Sequence, residues 1–293
     1  MSMSEITITL PDGSTRQLPV GATAADLAAD IGPGLARAAL AASVDGVGVD
    51  LECPLADGTS VAIVTADSDA GLYALRHSTA HVLAQAVLDL WPGATFAIGP
   101  PIENGFYYDF ELPSEATFTD EDLVAIEVRM REIIAADQAF ERYEVTPQEA
   151  QDLFAGHRYK LEIIERVAGG DEDRDRELDS EVLDSGSVSY YRNGDGFIDL
   201  CTGPHVASTG RLGHFALQKV AGAYWRGDER QPMLQRIYGT AWATGADLAD
   251  YLDRLVEADK RDHRRLATEL DLVSWPEPLG PGLAVWHPKG ALV

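Results

Sequence analysis

The chain has 293 residues, and its 48 acidic and 23 basic side chains give it a formal net charge of −25 at pH 7. Hydrophobic residues make up 45% and charged residues 24%, which is ordinary for a globular protein long enough to form two domains. A surface this negative repels polyanions at long range, so DNA is not an expected partner and any RNA contact must be local.

The sequence also lacks the patterns of export and membrane insertion. The N-terminal stretch MSMSEITITL has no basic region followed by an apolar core, so it does not read as a signal peptide. No run of about 18 apolar residues occurs, so no membrane-spanning helix is expected. The two cysteines are too few for a disulfide framework and suit a reducing compartment. We therefore expect a cytoplasmic protein without a membrane contact.

The first 66 residues predict a small ubiquitin-like β-grasp domain. EITITLPDGSTRQLPV alternates apolar and polar residues around a turn, as a β-hairpin does. A short helix follows, with Thr23 as its cap, Asp26 three residues later and Gly32 at its end. VDGVGVDLECPLADGTSVAIVT then returns to short strands, in which Cys53 is expected to be buried packing. ADSDAGLYAL, from Ala66, is interpreted as a linker.

A second domain is predicted from 67 to 243. A helix should run from Ser78 to Leu90, before Pro92. An aromatic strand follows in GFYYDFEL, and two later helices are capped at Thr119 and Thr146. SVSYYRNGDGFIDL predicts a hairpin around NGDG. The acidic residues 171–184 are interpreted as a solvated loop or helix face, and TGADLADYLDRLVEADKRDHRRLATEL as one long helix.

Two short motifs carry side chains suited to chemistry. In RHSTAHVLAQAV, His77 and His81 are four residues apart, so on a helix they share one face. In DLCTGPHV, Cys201 and His205 have the same spacing after a strand. The four could be buried packing residues, zinc ligands, or a metal-free pocket in which a neutral imidazole activates water.

RHSTAHVLAQAV, IGPPIENGFYYDF, FIDLCTGPHV and AGAYWRGDERQPMLQRIYGTAW together resemble the N-terminal part of bacterial threonyl-tRNA synthetases. The resemblance implies an α+β chain in which a β-grasp TGS domain precedes a larger α/β two-layer editing domain. The implied boundaries are 1–66 for the TGS domain, 67–243 for the editing domain, 244–272 for a connector helix, and 273–293 for the start of an aminoacylation domain that is otherwise missing.

The editing domain of that family hydrolyses the ester of seryl-tRNA(Thr), so the resemblance implies the same reaction here, with the acceptor end of tRNA(Thr) as partner. The catalytic residues that it implies are His77, His81, Lys160, Asp199, Cys201 and His205. It also assigns Tyr108 to substrate binding. Arg226 and Arg236 belong to the densest basic set of the chain and are candidates for contacting substrate phosphates.

The resemblance leaves zinc at His77, His81, Cys201 and His205 open. Alanyl-tRNA synthetase editing domains share these motifs and bind zinc, whereas the threonyl family is thought to edit with ordered water. Four protein ligands would also close a tetrahedral site and leave no position for substrate. We therefore expect that editing requires no cofactor.

The alternatives to an editing hydrolase are weaker. A non-catalytic RNA-binding module would not need the clustered histidines, cysteine and lysine. A sulfur-carrier role for the β-grasp domain would need an exposed Gly-Gly end, which is lacking. The arginine-bearing signatures of a class II ligase site are also missing, so ATP is not expected to bind. The family dimerises through the missing part, so this fragment is expected to be monomeric, although the full-length family enzyme is a homodimer.

His157, His263 and His287 are expected at the surface.

Overall fold

A computed structural model describes residues 5–113, 116–168, 187–276, 280 and 283–292. The chain forms two compact units, Met1–Ala243 and Thr244–Val293. The described helices and strands mix throughout the chain, which confirms the expected α+β class.

The first part of the larger unit contains five short strands and two helices. Their bounds are Glu5–Thr9 (β1), Thr15–Pro19 (β2), Ala24–Ile31 (α1), Pro33–Ala38 (α2), Ala39–Val44 (β3), Val47–Val49 (β4) and Val61–Thr65 (β5). β1 pairs with β2, and β3 lies between β4 and β5, all antiparallel. Ile8 and Leu27 are fully buried in a core confined to this part of the chain. The predicted cap of α1 is present, because Thr23 and Asp26 bond each other's backbone N–H.

The rest of the larger unit holds a five-stranded and a three-stranded antiparallel sheet. Its helices are Asp69–Leu90 (α3), Asp120–Ala135 (α4), Pro147–Leu153 (α5) and Arg158–Ala168 (α6). Its strands are Thr95–Phe96 (β6), Pro101–Ile102 (β7), Gly105–Glu111 (β8), Phe140–Val145 (β9), Val188–Asn193 (β10), Phe197–Leu200 (β11), Phe215–Tyr224 (β12) and Met233–Ala241 (β13). The larger sheet has the order β12-β13-β8-β6, with β7 on β8, and the smaller sheet has the order β11-β10-β9.

Helix α3 begins nine residues earlier than the sequence pattern predicted. Ser68 accepts a hydrogen bond from the Gly71 N–H and caps the helix, so most of the supposed linker is helical. Gly71 lies against the preceding strand so closely that a Cβ there would be 1.9 Å from the Thr65 carbonyl oxygen. Gly71 is buried in this contact with the end of β5, which local hydrophobic spacing does not reveal.

Local signals correctly predicted other elements. Capping boxes at Thr119 and Thr146 start α4 and α5, as expected. The hairpin around NGDG joins β10 to β11, with Asn193 opposite Phe197. The acidic residues 171–184 lie outside the described residues. No helix in the described part of the chain is long and apolar enough to cross a membrane.

The smaller unit contains two helices where one was predicted. α7 spans Gly245–Lys260 and α8 spans His263–Glu269, followed by the antiparallel pair Val273–Ser274 (β14) and Val285–Trp286 (β15). The helix is interrupted at Asp262, whose carboxylate accepts a hydrogen bond from the Arg265 N–H at 3.2 Å. Aspartate competes for backbone N–H groups in this way at helix starts, so it begins a new helix instead of continuing the old one.

Candidate functional site

Helix α3 carries the first half of the candidate site. It packs against β8 and β13, and its middle turns are buried. His77 and His81 lie one turn apart on it, with ring centroids separated by 5.2 Å. Because the helix is enclosed on this side, both imidazoles are almost completely removed from solvent. They therefore face the interior of the domain.

The loop after β11 brings the second half to the same place. Cys201 Sγ lies 3.2 Å from His77 Nε2 and 3.2 Å from His205 Nε2. One ligand atom from each of His77, His81, Cys201 and His205 lies within 4.8 Å of all the others. We call these four residues the His/Cys cluster. Its halves are separated by more than a hundred positions in the chain, and tertiary structure joins them.

Ser78 links the two halves of the cluster, and the sequence motifs did not single it out. Its hydroxyl oxygen accepts a hydrogen bond from the Val206 N–H at 3.1 Å and lies 3.0 Å from His205 Nδ1. If Nδ1 donates to Ser78, the Nε2 of His205 is left as a base or ligand atom. The only signal in the sequence was the position of Ser78, directly after His77 on a buried helix.

A second group of buried polar side chains adjoins the cluster. Lys160 Nζ lies 2.6 Å from Asp199 Oδ1, and both side chains are enclosed. Tyr108 donates a short hydrogen bond to Asp199 Oδ2 and accepts one from Lys160 at 3.3 Å. Asp199 Oδ2 is also 3.6 Å from His81 Nε2. The structure therefore joins Lys160, Asp199 and Tyr108 to the cluster through His81.

Burial determines the charge states of the cluster. Desolvation lowers the pKa of His77 to about 4 and holds the pKa values of His81 and His205 well below their usual range. The three imidazoles are therefore neutral near pH 7. Burial raises the pKa of Asp199, while the Lys160 ammonium opposes that shift. The site can thus accept a proton at a histidine beside a fixed lysine–aspartate pair.

Arg226 and Arg236 are held in ion pairs outside the His/Cys cluster. Arg236 makes two hydrogen bonds to Asp109, at 2.7 and 2.8 Å, and lies over the Tyr107 ring. Tyr107 and Asp109 flank Tyr108 in β8, so they project from the opposite face of the sheet. Arg226 bonds Glu162 of α6 at 2.8 Å. A substrate role for the two arginines remains a prediction.

Two expectations about single residues were wrong. His157 is not a surface residue, because its half-buried ring packs 4.9 Å from Phe96, and this burial lowers its pKa. Cys53 is not fully buried, because it lines a cavity of about 1350 Å³. In both cases the surroundings come from distant parts of the chain.

That cavity lies between the β-grasp strands and the loop that carries half of the cluster. Residues 47–54 form one wall, while residues 139–143, 202–204 and 206–207 form the other. Tyr191 of β10 also contributes to the lining. The Gly203–Pro204 segment belongs to both the cavity wall and the loop between Cys201 and His205, so this loop lies between the cavity and the cluster.

The His/Cys cluster fits the donor set of zinc. Three imidazoles and one thiol are typical ligands of a tetrahedral zinc ion. The Nδ1 atoms of His77 and His81 are buried without a hydrogen-bond partner in the described part of the chain. A zinc ion held by all four residues would have no open position, which describes a closed, structural type of site.

Comparison with known proteins gives matches over both parts of the larger unit. The TGS domain model matches residues 6–65, and the model of the threonyl and alanyl tRNA synthetase second additional domain matches residues 188–238. The threonine–tRNA ligase of Citrifermentans bemidjiense is 51% identical over 99% of this chain and 43% of its own length. The threonine–tRNA ligase of Acidithiobacillus ferrooxidans is 53% identical over 98% of this chain and 42% of its own length. The chain thus spans about two fifths of these relatives, and the resemblance seen in the motifs is confirmed.

Proposed function

Because this chain is related over 99% of its length to the threonine–tRNA ligases, we propose that it performs their editing step, the hydrolysis of serine from seryl-tRNA(Thr). The observation that carries this proposal is the convergence of His77, His81, Cys201 and His205 in one buried cluster. The neighbouring Lys160–Asp199 pair supports it, because enclosed ionisable groups with shifted pKa values are typical of catalytic sites.

The need for such a step follows from binding energies. Serine differs from threonine by one methyl group, and a missing methyl in a binding pocket weakens binding by about 1–3 kcal/mol, or about 10–200-fold. A ligase site alone therefore charges serine too often. A second pocket that admits serine and excludes the additional methyl group corrects the error.

In the proposed reaction, His77 removes a proton from a water molecule, whose oxygen attacks the carbonyl carbon of the aminoacyl ester. The ester C–O bond then breaks, and the leaving hydroxyl of the terminal ribose takes the proton back from the imidazolium. A pKa of about 4 keeps His77 unprotonated at neutral pH, although it also weakens the driving force for proton uptake. Lys160, fixed beside Asp199, provides positive charge for the developing oxyanion.

The substrate is held by the remaining predicted residues. We assign Tyr108 to the pocket wall, because its hydroxyl orients Asp199 and is itself bonded by Lys160. Arg226 and Arg236 are assigned to the phosphates of the tRNA acceptor end. Each would have to exchange part of its present ion pair with Glu162 or Asp109 for a phosphate.

The isolated chain is expected to release serine from seryl-tRNA(Thr) about 10–200-fold faster than threonine from threonyl-tRNA(Thr), the range that one methyl group supports. Radiolabelled substrates and a single-turnover time course measure both rates. Background hydrolysis is taken from reactions without protein. Equal rates on the two substrates would remove the claim of serine specificity.

Metal removal is expected to leave serine release unchanged, whereas added Zn²⁺ should slow it. Bound zinc would supply Lewis acidity, but the four-residue set closes its coordination and occupies the proposed base. The measurement compares deacylation before and after chelation, with metal content determined by atomic absorption. Loss of activity on chelation and its return with zinc would contradict a metal-free reaction.

A further inference from the structure

One carboxylate of the β-grasp part reaches the loop that carries half of the His/Cys cluster. Asp50 directly follows β4. Its Oδ1 accepts a hydrogen bond from the His205 backbone N–H at 2.7 Å, and its Oδ2 accepts one from the Tyr191 hydroxyl at 2.6 Å. Both oxygens are thus used on groups that belong to the other part of the unit.

Both hydrogen bonds of Asp50 bear on the position of His205. The first holds the backbone of His205. The second fixes Tyr191, whose fully buried ring meets the His205 ring edge-on with centroids 4.4 Å apart. Phe140 stacks on His205 at 4.9 Å with its ring nearly parallel. Asp50 therefore bonds the main chain of His205 and fixes one of the aromatic rings that surround its imidazole.

The backbone between Cys201 and His205 is shaped for this contact. Gly203 has a φ of +80°, and a Cβ at this position would be 2.2 Å from the Tyr191 hydroxyl oxygen. A Cβ on Gly48 of β4 would touch Pro204 at 3.3 Å. Glycine at both positions lets the loop lie directly on the β-grasp strand, within reach of Asp50.

We propose that Asp50 is a positioning residue of the hydrolytic site, through which the β-grasp part holds His205 and its loop in the geometry that hydrolysis requires. This inference rests on the proposed function. It makes the first 66 residues a part of the deacylase, because the His/Cys cluster is not fully supported without them. Positioning errors of about 1 Å are sufficient to cost about 100-fold in rate.

The expected result for D50A in the full chain is a loss of about 100-fold in kcat for serine release, with little change in KM. D50N should lose much less. Its amide oxygen still accepts from the His205 N–H, and its NH₂ group donates to the Tyr191 oxygen. Rescue by asparagine would show that geometry matters here and that the negative charge does not. Single-turnover kinetics at several substrate concentrations separates kcat from KM.

D57A is the matched control. Asp57 also bonds a backbone N–H with its carboxylate, that of Thr7, but both residues lie within the β-grasp part. We expect its kcat to equal that of the unaltered chain. A D57A loss as large as that of D50A would mean that any damage to the β-grasp part suffices, which would overturn the positioning role. If D50A does not fold, Y191F tests the positioning role instead, because it removes the hydrogen bond from the Tyr191 hydroxyl to Asp50 and keeps the aromatic ring. A kcat equal to that of the unaltered chain in Y191F would then contradict the role of Asp50.

A second readout separates this inference from the proposed function. In chain labelled with ¹⁵N-histidine, D50A and Y191F should shift the imidazole signals of His205, while D57A should not. An inactive unaltered chain would refute the proposed function, and the histidine signals would still test the positioning. Unaltered kcat together with unaltered His205 signals in D50A would refute the role of Asp50.

Discussion

Replacing His77 by alanine is expected to lower the rate of serine release by about 10²–10⁴-fold, the contribution typical of a positioned general base. Cys201→Ala should have a comparable effect, because its sulfur contacts the Nε2 atoms of both His77 and His205 at 3.2 Å. The measurement is a single-turnover deacylation assay. Circular dichroism and thermal unfolding of each variant establish that the loss does not come from misfolding.

His214→Ala is the matched control for these variants. His214 is exposed and lies outside the His/Cys cluster, so its removal should leave the rate unchanged. Undiminished hydrolysis in both His77→Ala and Cys201→Ala would remove the proposed site. A rate loss in His214→Ala would show that the assay responds to changes far from the chemistry.

The pH profile gives a second measurement of the same prediction. Burial lowers the folded-state pKa of His77 to about 4, so the imidazole is neutral and able to accept a proton throughout the neutral range. The enzymatic rate should therefore be flat between about pH 6 and 8 and fall as the pH approaches 4. A rate that falls through pH 6.5 would show that a histidine with an ordinary pKa acts as the base.

Lys160→Met is expected to lower the free energy of unfolding by about 3–5 kcal/mol, because it leaves a buried carboxylate without its partner. Lys160 is fully buried and lies 2.6 Å from Asp199, itself enclosed. Asp199→Asn should cost a similar amount by leaving the ammonium uncompensated. The double variant should be destabilised by less than the sum of the two, since no unpaired charge remains. Urea unfolding of all three variants gives this coupling energy.

Lys260→Met is the control for the ion pair. Lys260 lies 2.7 Å from Glu257, nearly the same separation, but both side chains are largely exposed. Exposed pairs contribute about 0–1 kcal/mol, so this variant should be close to neutral. A Lys160→Met chain as stable as the unaltered one would mean that Asp199 takes up a proton when its partner is removed, and the pH dependence of its stability would then reveal that titration.

Features encoded by neighbouring residues were predictable from the sequence. The capping boxes at Thr23, Thr119 and Thr146 are present, because a cap needs only a side chain and the N–H groups within three residues of it. The shared face of His77 and His81 follows in the same way from helical geometry. The family resemblance, not any spacing, singled out Lys160, Asp199 and Tyr108.

Two helix boundaries were missed although local contacts set them. Ser68 caps α3 by accepting from the Gly71 N–H, and Asp262 accepts from the Arg265 N–H after α7 has ended. Both hydrogen bonds span three residues, but hydrophobic periodicity does not contain them. Contacts between distant segments needed the tertiary structure. Arg236 faces away from Tyr108 because residues in adjacent strand positions alternate between the two faces of the sheet, a consequence of strand register.

The sequence by itself determined the helix caps at Thr23, Thr119 and Thr146, which histidines share a face and which side chains could do hydrolytic chemistry. The tertiary structure alone decided that Cys201 meets His77, that Ser78 and Asp50 hold His205, and that Cys53 lines a cavity. The physical reason is the range of the interactions. Caps and periodicity act over a few residues, whereas the distance between side chains far apart in the chain depends on how every element between them packs.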